Sequence, residues 1–369
     1  MITLGELISL QRGYDLPENQ RRPGNVPVLG SAGITGYHDT AKAKGSGVTV
    51  GRSGASFGKV TFIREDYWPH NAALFVTDFK GNEPLFIRYL LESLDFSSLN
   101  SGSAQQSLNR NYVYAVSVQK FGLPIQRRIA GILSAYDELI ETNQRRIKIL
   151  EEMARSLYRE WFVHFRFPGH EKAKMVPSSL GPIPQGWEVK KLKDVCYLTM
   201  GQSPKSEFYN ENGEGQPFHQ GVTDFGDRFP TDRLFCTVVG RIAEAGDILF
   251  SVRAPVGRMN ITDKKIIIGR GLSAIRHSDG HQAFLWEQLR NRFTKDDMMG
   301  NGAIFAAVTK DDMQGIELVC PPEQIVSAAT NHFRPIHTQI ATLSKQTTNL
   351  RRTRDLLLPR LLLGQVNVA

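Results

Sequence analysis

The chain has 369 residues, 41% hydrophobic and 22% charged, the balance of a folded protein rather than a disordered tail, and enough for two domains with separate cores. Forty-five Lys and Arg against 37 Asp and Glu leave a net charge of +8, which favours a polyanionic partner, nucleic acid ahead of a membrane surface. Three scattered cysteines (Cys196, Cys236, Cys320), no signal-peptide pattern in MITLGELISLQRGYD and no apolar run of membrane-helix length argue against a disulfide scaffold, a zinc ribbon and a membrane span, and make a reducing cytoplasm the expected setting.

In chain order, strand-like runs come first: GVTVGRS (47–53), KVTFI (59–63), AALFVTDF (72–79) and VYAVSV (113–118), with a short helix expected at Pro84–Leu94. Pro124 then opens a long helix. Its seam positions, Ile129, Leu133, Tyr136, Ile140, Asn143, Ile147, Leu150, Ala154, Leu157 and Trp161, alternate spacings of four and three, the 3.5-residue period of a coiled coil. RFPGHEKAKMVPSSLGPIPQG (166–186) reads as a linker. Beyond it lie strand-like GDILFSVR (246–253) and KKIIIG (264–269) and a short helix at Gln282–Phe293, before Pro321-Pro322 opens a second long helix.

The two halves repeat at an offset of about 200 residues. GVTVGRSGASFGKV (47–60) aligns with GDILFSVRAPVGRM (246–259), SGSAQQSLNRNYV (101–113) with NGAIFAAVTKDDM (301–313), and FGLPIQRRI (121–129) with VCPPEQI (319–325). The second heptad series is Ala329, Phe333, Ile336, Ile340, Leu343, Thr347, Leu350, Arg354, Leu357 and Leu361. The expected fold is therefore α+β: two mixed α/β modules in tandem, each followed by a long helix. A helix of roughly 38 residues is about 57 Å long and cannot hide its own stripe, so its repeat copy is the natural partner. Antiparallel pairing is favoured, because parallel pairing needs the linker nearly fully extended. The seam residues expected to pair are Ile140, Asn143, Ile147, Leu150 and Leu157 with Ile340, Leu343, Thr347, Leu350 and Leu357; polar Asn143 and Thr347 fix register or lie at a solvated rim. The boundaries read from this are 1–126, a helical region 127–166, a linker 167–186, a second module 187–322, and a helical region 323–364.

No catalytic apparatus is legible. GASFGKV (54–60) has a Gly-Lys, but Ser53 and Val60 stand where a P-loop needs Gly and Ser or Thr. No GxGxxG opens a helix after a strand, and no Asn-Pro-Pro-aromatic motif of the amino-methyltransferase kind is present. His332 and His337 are five apart and do not share a helix face; Glu188-x-Lys190 has no identifiable partner carboxylate; Cys196 and Cys320 read as core thiols. No metal site is expected.

What remains is a binding surface. Arg52, Ser53 and Lys59 in the first module and Arg253, Arg258 and Arg270 in the second fall on turns of the repeat. Gln105, Gln106, Asn109 and Arg110 fall in another matched loop, opposite Lys310. Arginine pairs with guanine and Gln or Asn with adenine in the major groove, while Lys meets phosphate. Each residue alone reads more readily as an ordinary solvated loop residue; the set, doubled on corresponding loops, is the signal. Lys345, Arg351, Arg352, Arg354 and Arg360 on the second helix fit a solvated face, an acidic partner's footprint or a phosphate contact alike.

IPQGWEVKKLKDV (183–195), GDILFSVRAPVGRM (246–259), the pre-helix segments ending at Pro124 and at Pro321-Pro322-Glu323-Gln324, and LYREWFVHFRFPG (157–169) together resemble the specificity subunit of type I restriction–modification systems, over essentially the whole chain. The resemblance implies two target recognition domains, each reading half of a bipartite DNA site, with the helices setting the spacer and docking methyltransferase subunits, two in number, and with motor-nuclease subunits joining the full complex. It implies a non-catalytic chain that binds no cofactor itself, S-adenosylmethionine, ATP and Mg being held by the partners, in a bacterial or archaeal cytoplasm. Module one lacks the Pro-x-Gly-Trp lead-in of module two, so its first strand is expected to be trimmed. The modules' unlike loop residues imply an asymmetric target. A self-contained DNA methyltransferase or nuclease, or a protein-assembly scaffold, remain the other readings of the residues.

Overall fold

The structure is a computed structural model describing residues 1–102, 106–293 and 307–368. It divides into two compact units, Met1–Glu141 with Thr348–Ala369, and Thr142–Thr347.

Unit 1 runs β1 (Ile2–Thr3), α1 (Leu4–Leu7), β2 (Ser9–Arg12), β3 (Val26–Gly30), β4 (Gly33–His38), β5 (Gly47–Gly51), β6 (Val60–Ile63), β7 (Trp68–Pro69), β8 (Ala73–Asp78), α2 (Pro84–Glu92), α3 (Arg110–Tyr114), β9 (Ser117–Val118) and the start of α4 (Leu123–Tyr158). Its main sheet has the order β2-β8-β5-β6 with every neighbour antiparallel; a smaller sheet, β4-β3-β7, joins β3 to β7 in parallel. All five residues of β5 are buried, hence a sequence, GVTVG, without polar alternation. Helix α2 begins at Pro84, where a missing N–H costs nothing, and packs Phe86, Ile87, Leu90 and Leu91 on Val48, Val50, Leu74 and Val76 of the sheet.

Unit 2 holds the rest of α4, then β10 (Met175–Val176), β11 (Ile183–Pro184), β12 (Glu188–Lys191), α5 (Leu192–Val195), β13 (Cys196–Met200), β14 (Tyr209–Asn210), β15 (Gln216–His219), β16 (Leu234–Cys236), β17 (Ile242–Ala243), β18 (Ile248–Ser251), β19 (Met259–Ile261), β20 (Ile266–Ile268), β21 (Leu272–His277), α6 (Gln282–Arg292), α7 (Lys310–Gln314), β22 (Glu317–Cys320) and the start of α8 (Glu323–Leu362). Its main sheet, β13-β21-β18-β19, repeats the order and the antiparallel pairing of the unit 1 sheet. Its second sheet, β14-β16-β15-β20-β17, again contains one parallel pair, β15 with β20. The internal repeat is thus a repeat of topology.

Two segments differ from the strand-and-linker reading. VYAVSV (113–118) is not one strand: Tyr114 ends helix α3, and only Ser117–Val118 is extended. The Asn109 side chain accepts from Asn111 N and caps that helix, and the Tyr114 hydroxyl binds Leu10 N and O at 2.6 and 3.1 Å, so a cap and a distant partner override the β propensity of Val and Tyr. The segment 167–186 carries the β10–β11 hairpin, and its Phe167 and Ile183 are buried beside Trp187. The rings of Phe162, Phe165 and Phe167 all lie within 5.8 Å of Trp187, which is why the Gly-Trp lead-in of module two and the aromatic end of the first helix accompany each other. Module one, without that lead-in, forms only a two-residue β1–β9 ladder where β12–β22 spans four pairs.

The long helices contribute to both units. In unit 1, Ile129 and Leu133 of α4 share a core with Leu361 and Leu362 of α8, and Asp137 meets Arg354. In unit 2, Ala154 and Tyr158 of α4 share a core with Ala329 and Phe333 of α8. Early α4 thus meets late α8, and late α4 meets early α8: the helices run antiparallel. A π-helical turn, Arg159–Val163, ends α4 and tucks Trp161 and Phe162 into that second core.

Candidate nucleic-acid interface

In unit 1 the β5–β6 connection is closed by Gly51 N donating to Lys59 O and Gly58 N donating to Gly51 O, both 2.8 Å. Gly58 sits at φ +75°, and a Cβ there would lie 2.8 Å from Phe96 Cβ, so this turn requires glycine. Arg52 N donates to Ala72 O, Leu108 N donates to Arg52 O, and Ser53 bridges Ser107. That lattice brings Arg52, Ser53 and Lys59 beside Gln106, Asn109 and Arg110. Gln105 lies outside the described residues.

Unit 2 rebuilds the same lattice. Ser251 N donates to Arg258 O, Gly257 (φ +91°) donates to Ser251 O, Val252 N donates to Gly271 O, and Val308 N donates to Val252 O. Arg253 bridges Ala307 as Ser53 bridges Ser107. Arg253, Arg258, Arg270 and Lys310 therefore fall on one end of the sheet, next to each other in sequence or by backbone pairing. The matched segment 301–306 is outside the described residues.

The scaffold matches but the side chains do not. Asn109 spends its carbonyl capping α3, and Arg110 Nη1 reaches Leu10 O at only 3.4 Å. Lys310 begins α7 among Asp311 and Asp312, the latter closing a capping box with Thr309. Hydrogen bonds from Thr309 hold the Asp312 carboxyl below the usual carboxylate range, so a negative charge stands near Lys310 where unit 1 has Tyr112.

The structure adds residues that sequence reasoning passed over. Gly13 follows β2 and Gly201 follows β13, each pressed against a carbonyl: a Cβ would lie 2.2 Å from His70 O and 2.1 Å from Gly269 O respectively. Tyr14 N donates to Pro69 O, and Gln202 N to Ile268 O. From this shared joint hang Tyr14, Asp15 and Asn71 in unit 1, with the Asn71 amide on the Asp15 carboxylate, against Gln202, Ser203 and Arg270 in unit 2, with Arg270 N on Ser203 Oγ. A glycine closing the first strand of each main sheet was the available signal. Arg22 in unit 1 is bound bidentately by Asp39 at 2.6 and 3.0 Å, and holds that carboxyl down to about 2.

Other singled-out residues have structural settings. Glu188 and Lys190 pair with each other at 2.8 Å on the β12–β22 ladder. Burial pushes the Cys196 thiol up to about 12 and raises that of Cys320, as for core thiols. His332 lies edge-on to Trp161, whereas His337 is buried between Arg228 (2.7 Å to Nδ1) and Glu287 (2.9 Å from Nε2). Arg354 meets Asp137, and Lys345 meets Asp263 at 3.0 Å. Of the seam residues, Ile140, Asn143, Ile340, Leu343 and Thr347 are buried, and Ile147, Leu150, Leu157, Leu350 and Leu357 half-buried. Among the described residues no three His, Cys, Asp or Glu side chains gather for a metal ion, and no helix is long and apolar enough to cross a membrane.

The profile of the type I restriction modification DNA specificity domain matches residues 1–152 and again 184–345. The putative type I restriction enzyme MjaX specificity subunit of Methanocaldococcus jannaschii is 31% identical over 295 residues, covering 78% of this chain and 69% of that protein. The type I restriction enzyme HindI specificity subunit of Haemophilus influenzae is 24% identical over 314 residues, covering 65% and 67%. In fold, the crystal structure of the type I restriction–modification S subunit from M. genitalium matches with a TM-score of 0.70 at 16% identity, covering 98% of this chain and 95% of that one. The chain belongs to the type I restriction–modification specificity-subunit family, with its DNA specificity domain present twice in tandem.

Proposed function

We propose that each module reads one half of a bipartite, asymmetric duplex target, and that the chain does so without catalysis of its own. The observation that carries this is the duplicated lattice at 52–59 and 252–258, the same backbone bearing Arg52, Ser53 and Lys59 in one unit and Arg253 and Arg258 in the other. One scaffold with two sets of side chains suits two unlike half-sites. The helices set the spacer between the halves and dock two methyltransferase subunits. Supporting that docking, α4 leaves Ile132 and Leu139 exposed in unit 1, and Ile149 and Met153 exposed in unit 2, at spacings that place them outside the α4–α8 seam. Motor-nuclease subunits complete the assembly, the partners hold S-adenosylmethionine, ATP and Mg, and the complex works in a bacterial or archaeal cytoplasm.

The test is co-expression with the cognate methyltransferase followed by genome-wide mapping of methylated adenine. The expected motif is interrupted and asymmetric, and purified chain alone transfers no methyl group. A continuous or palindromic motif, or methyl transfer by the isolated chain, overturns the proposal.

A further inference from the structure

Val239 stands on the loop between β16 and β17 and is 92% exposed, more than any other large hydrophobic residue among those described. The loop is not loose. Thr237 N donates to Phe208 O, Ile268 N donates to Arg241 O, and the Cys236 thiol reaches Val238 O. A Cβ on Gly240 would lie 2.6 Å from Ile267 Cγ2, so the backbone is seated against β20. An apolar side chain is thereby held out into water on a fixed base, where burial would return about 0.8 kcal/mol per methylene-sized group.

The surroundings name the kind of partner. Val239 lies on the wall of a cleft of about 500 Å³ shared with Gln202, Ser203, Lys205 and Arg241, and Arg270 is tied to Ser203 through its backbone N at 3.1 Å. Neither Arg241 nor Arg270 forms an ion pair among the described residues, while Lys205 stands 4.0 Å from Glu207. A positive rim around one apolar tip fits a polyanion that also presents an apolar spot. In duplex DNA the major groove offers such a spot in the 5-methyl group of thymine. Side chains that wedge between base pairs are longer, typically Phe, Leu, Ile or Met; valine ends at Cγ and its stiff χ1 suits an edge contact.

We propose that Val239 is a specificity-determining contact of the second module that reads a thymine methyl group, with Lys205, Arg241 and Arg270 on the flanking phosphates. The inference rests on the DNA-reading function proposed above. The experiment uses the methyltransferase complex assembled on the mapped target and competition binding with duplexes in which each thymine of the second module's half-site is replaced by deoxyuridine. The wild-type complex should lose about four-fold in affinity at one thymine, the worth of one buried methyl group. V239A should bind thymine DNA about four-fold more weakly and be indifferent to that replacement. A half-site without thymine, no sensitive thymine, or a V239A complex as sensitive as wild type overturns the proposal. Failure of the wild-type complex to prefer its mapped target over scrambled duplex instead overturns the DNA-reading function itself.

Discussion

Replacing Asp137 tests how the long helices are fastened to the first unit. Its carboxylate accepts from Arg88 Nη1 at 2.6 Å and the Tyr89 hydroxyl at 2.7 Å, both on α2, and from Arg354 Nη1 at 2.6 Å on α8. One side chain thus joins three helices. The three charged groups, Arg88, Asp137 and Arg354, are 20 to 28% exposed, so most of the cost of stranding a charge applies. Asp137→Ala removes three charge-assisted bonds and leaves two guanidiniums facing each other. Breaking a fully buried pair costs about 3–5 kcal/mol; with partial hydration the expected cost is about 2–3 kcal/mol, or roughly 5–10 °C in the melting of a unit this size. Calorimetry should show the unit 1 transition shifted. R354M should cost less, since Arg88 and Tyr89 still satisfy the carboxylate, and the D137A/R354M pair should cost less than the two summed. Burial pushes the Asp137 carboxyl up, but hydrogen bonds from Tyr89 and Arg354 and the charge of Arg88 leave it lowered overall. Its contribution is therefore complete above the unfolded value of about 4 and lost as pH falls through the folded one, so the wild-type advantage over D137A should fade in acid. A D137A protein within about 0.5 kcal/mol of wild type at pH 7, or a strictly additive double variant, would refute the fastening.

In unit 2, burial lowers His337, His219 and His277 below the usual histidine value. Stability should therefore be full above pH of about 6.5 and decline as pH falls through the folded values, a slope that equilibrium unfolding would show reduced in H337Q. Gly201→Ala forces a Cβ to within 2.1 Å of Gly269 O and should destabilise unit 2 by about 1–3 kcal/mol in urea unfolding, whereas Gly213→Ala, with no neighbour near, should show only the smaller strain of its positive φ. Arg253→Ala should weaken target binding by about 1–3 kcal/mol and relax one half of the motif alone, while Lys59→Ala should weaken all duplexes alike and reduce the salt slope by about one, as read by filter binding across salt concentrations.

The heptads were legible because a 3.5-residue period extends over ten positions in each half, and the tandem arrangement because glycine, proline and helix recur in order. Arg354, an anomaly at a seam position, has its explanation in Asp137, which no local pattern could supply across 217 positions. VYAVSV misled because a five-residue helix held by one cap and one distant hydroxyl carries no periodicity. Arg228 was invisible as a core residue, since arginine reads as surface; it is buried against Trp286 and His337, and burial lowers its pKa to about 10. The parallel pairs β3–β7 and β15–β20 join segments too far apart to be paired from sequence. For the interface, basic and amide residues on turns could be picked by type, but only the backbone lattice says which turns are neighbours.

The core of unit 1 draws Leu361 and Leu362 from α8, which follows the whole second module in sequence, and this bears on inheritance. A crossover that exchanges only the codons for residues 1–141 delivers a new module onto a resident C-terminal helix. The newcomer must accept those two leucines, and must offer a carboxylate to Arg354, or lose part of its stability on arrival. Any such exchange would therefore be filtered at a surface formed by helix ends and set apart in sequence from the duplicated turns at 52–59 and 252–258.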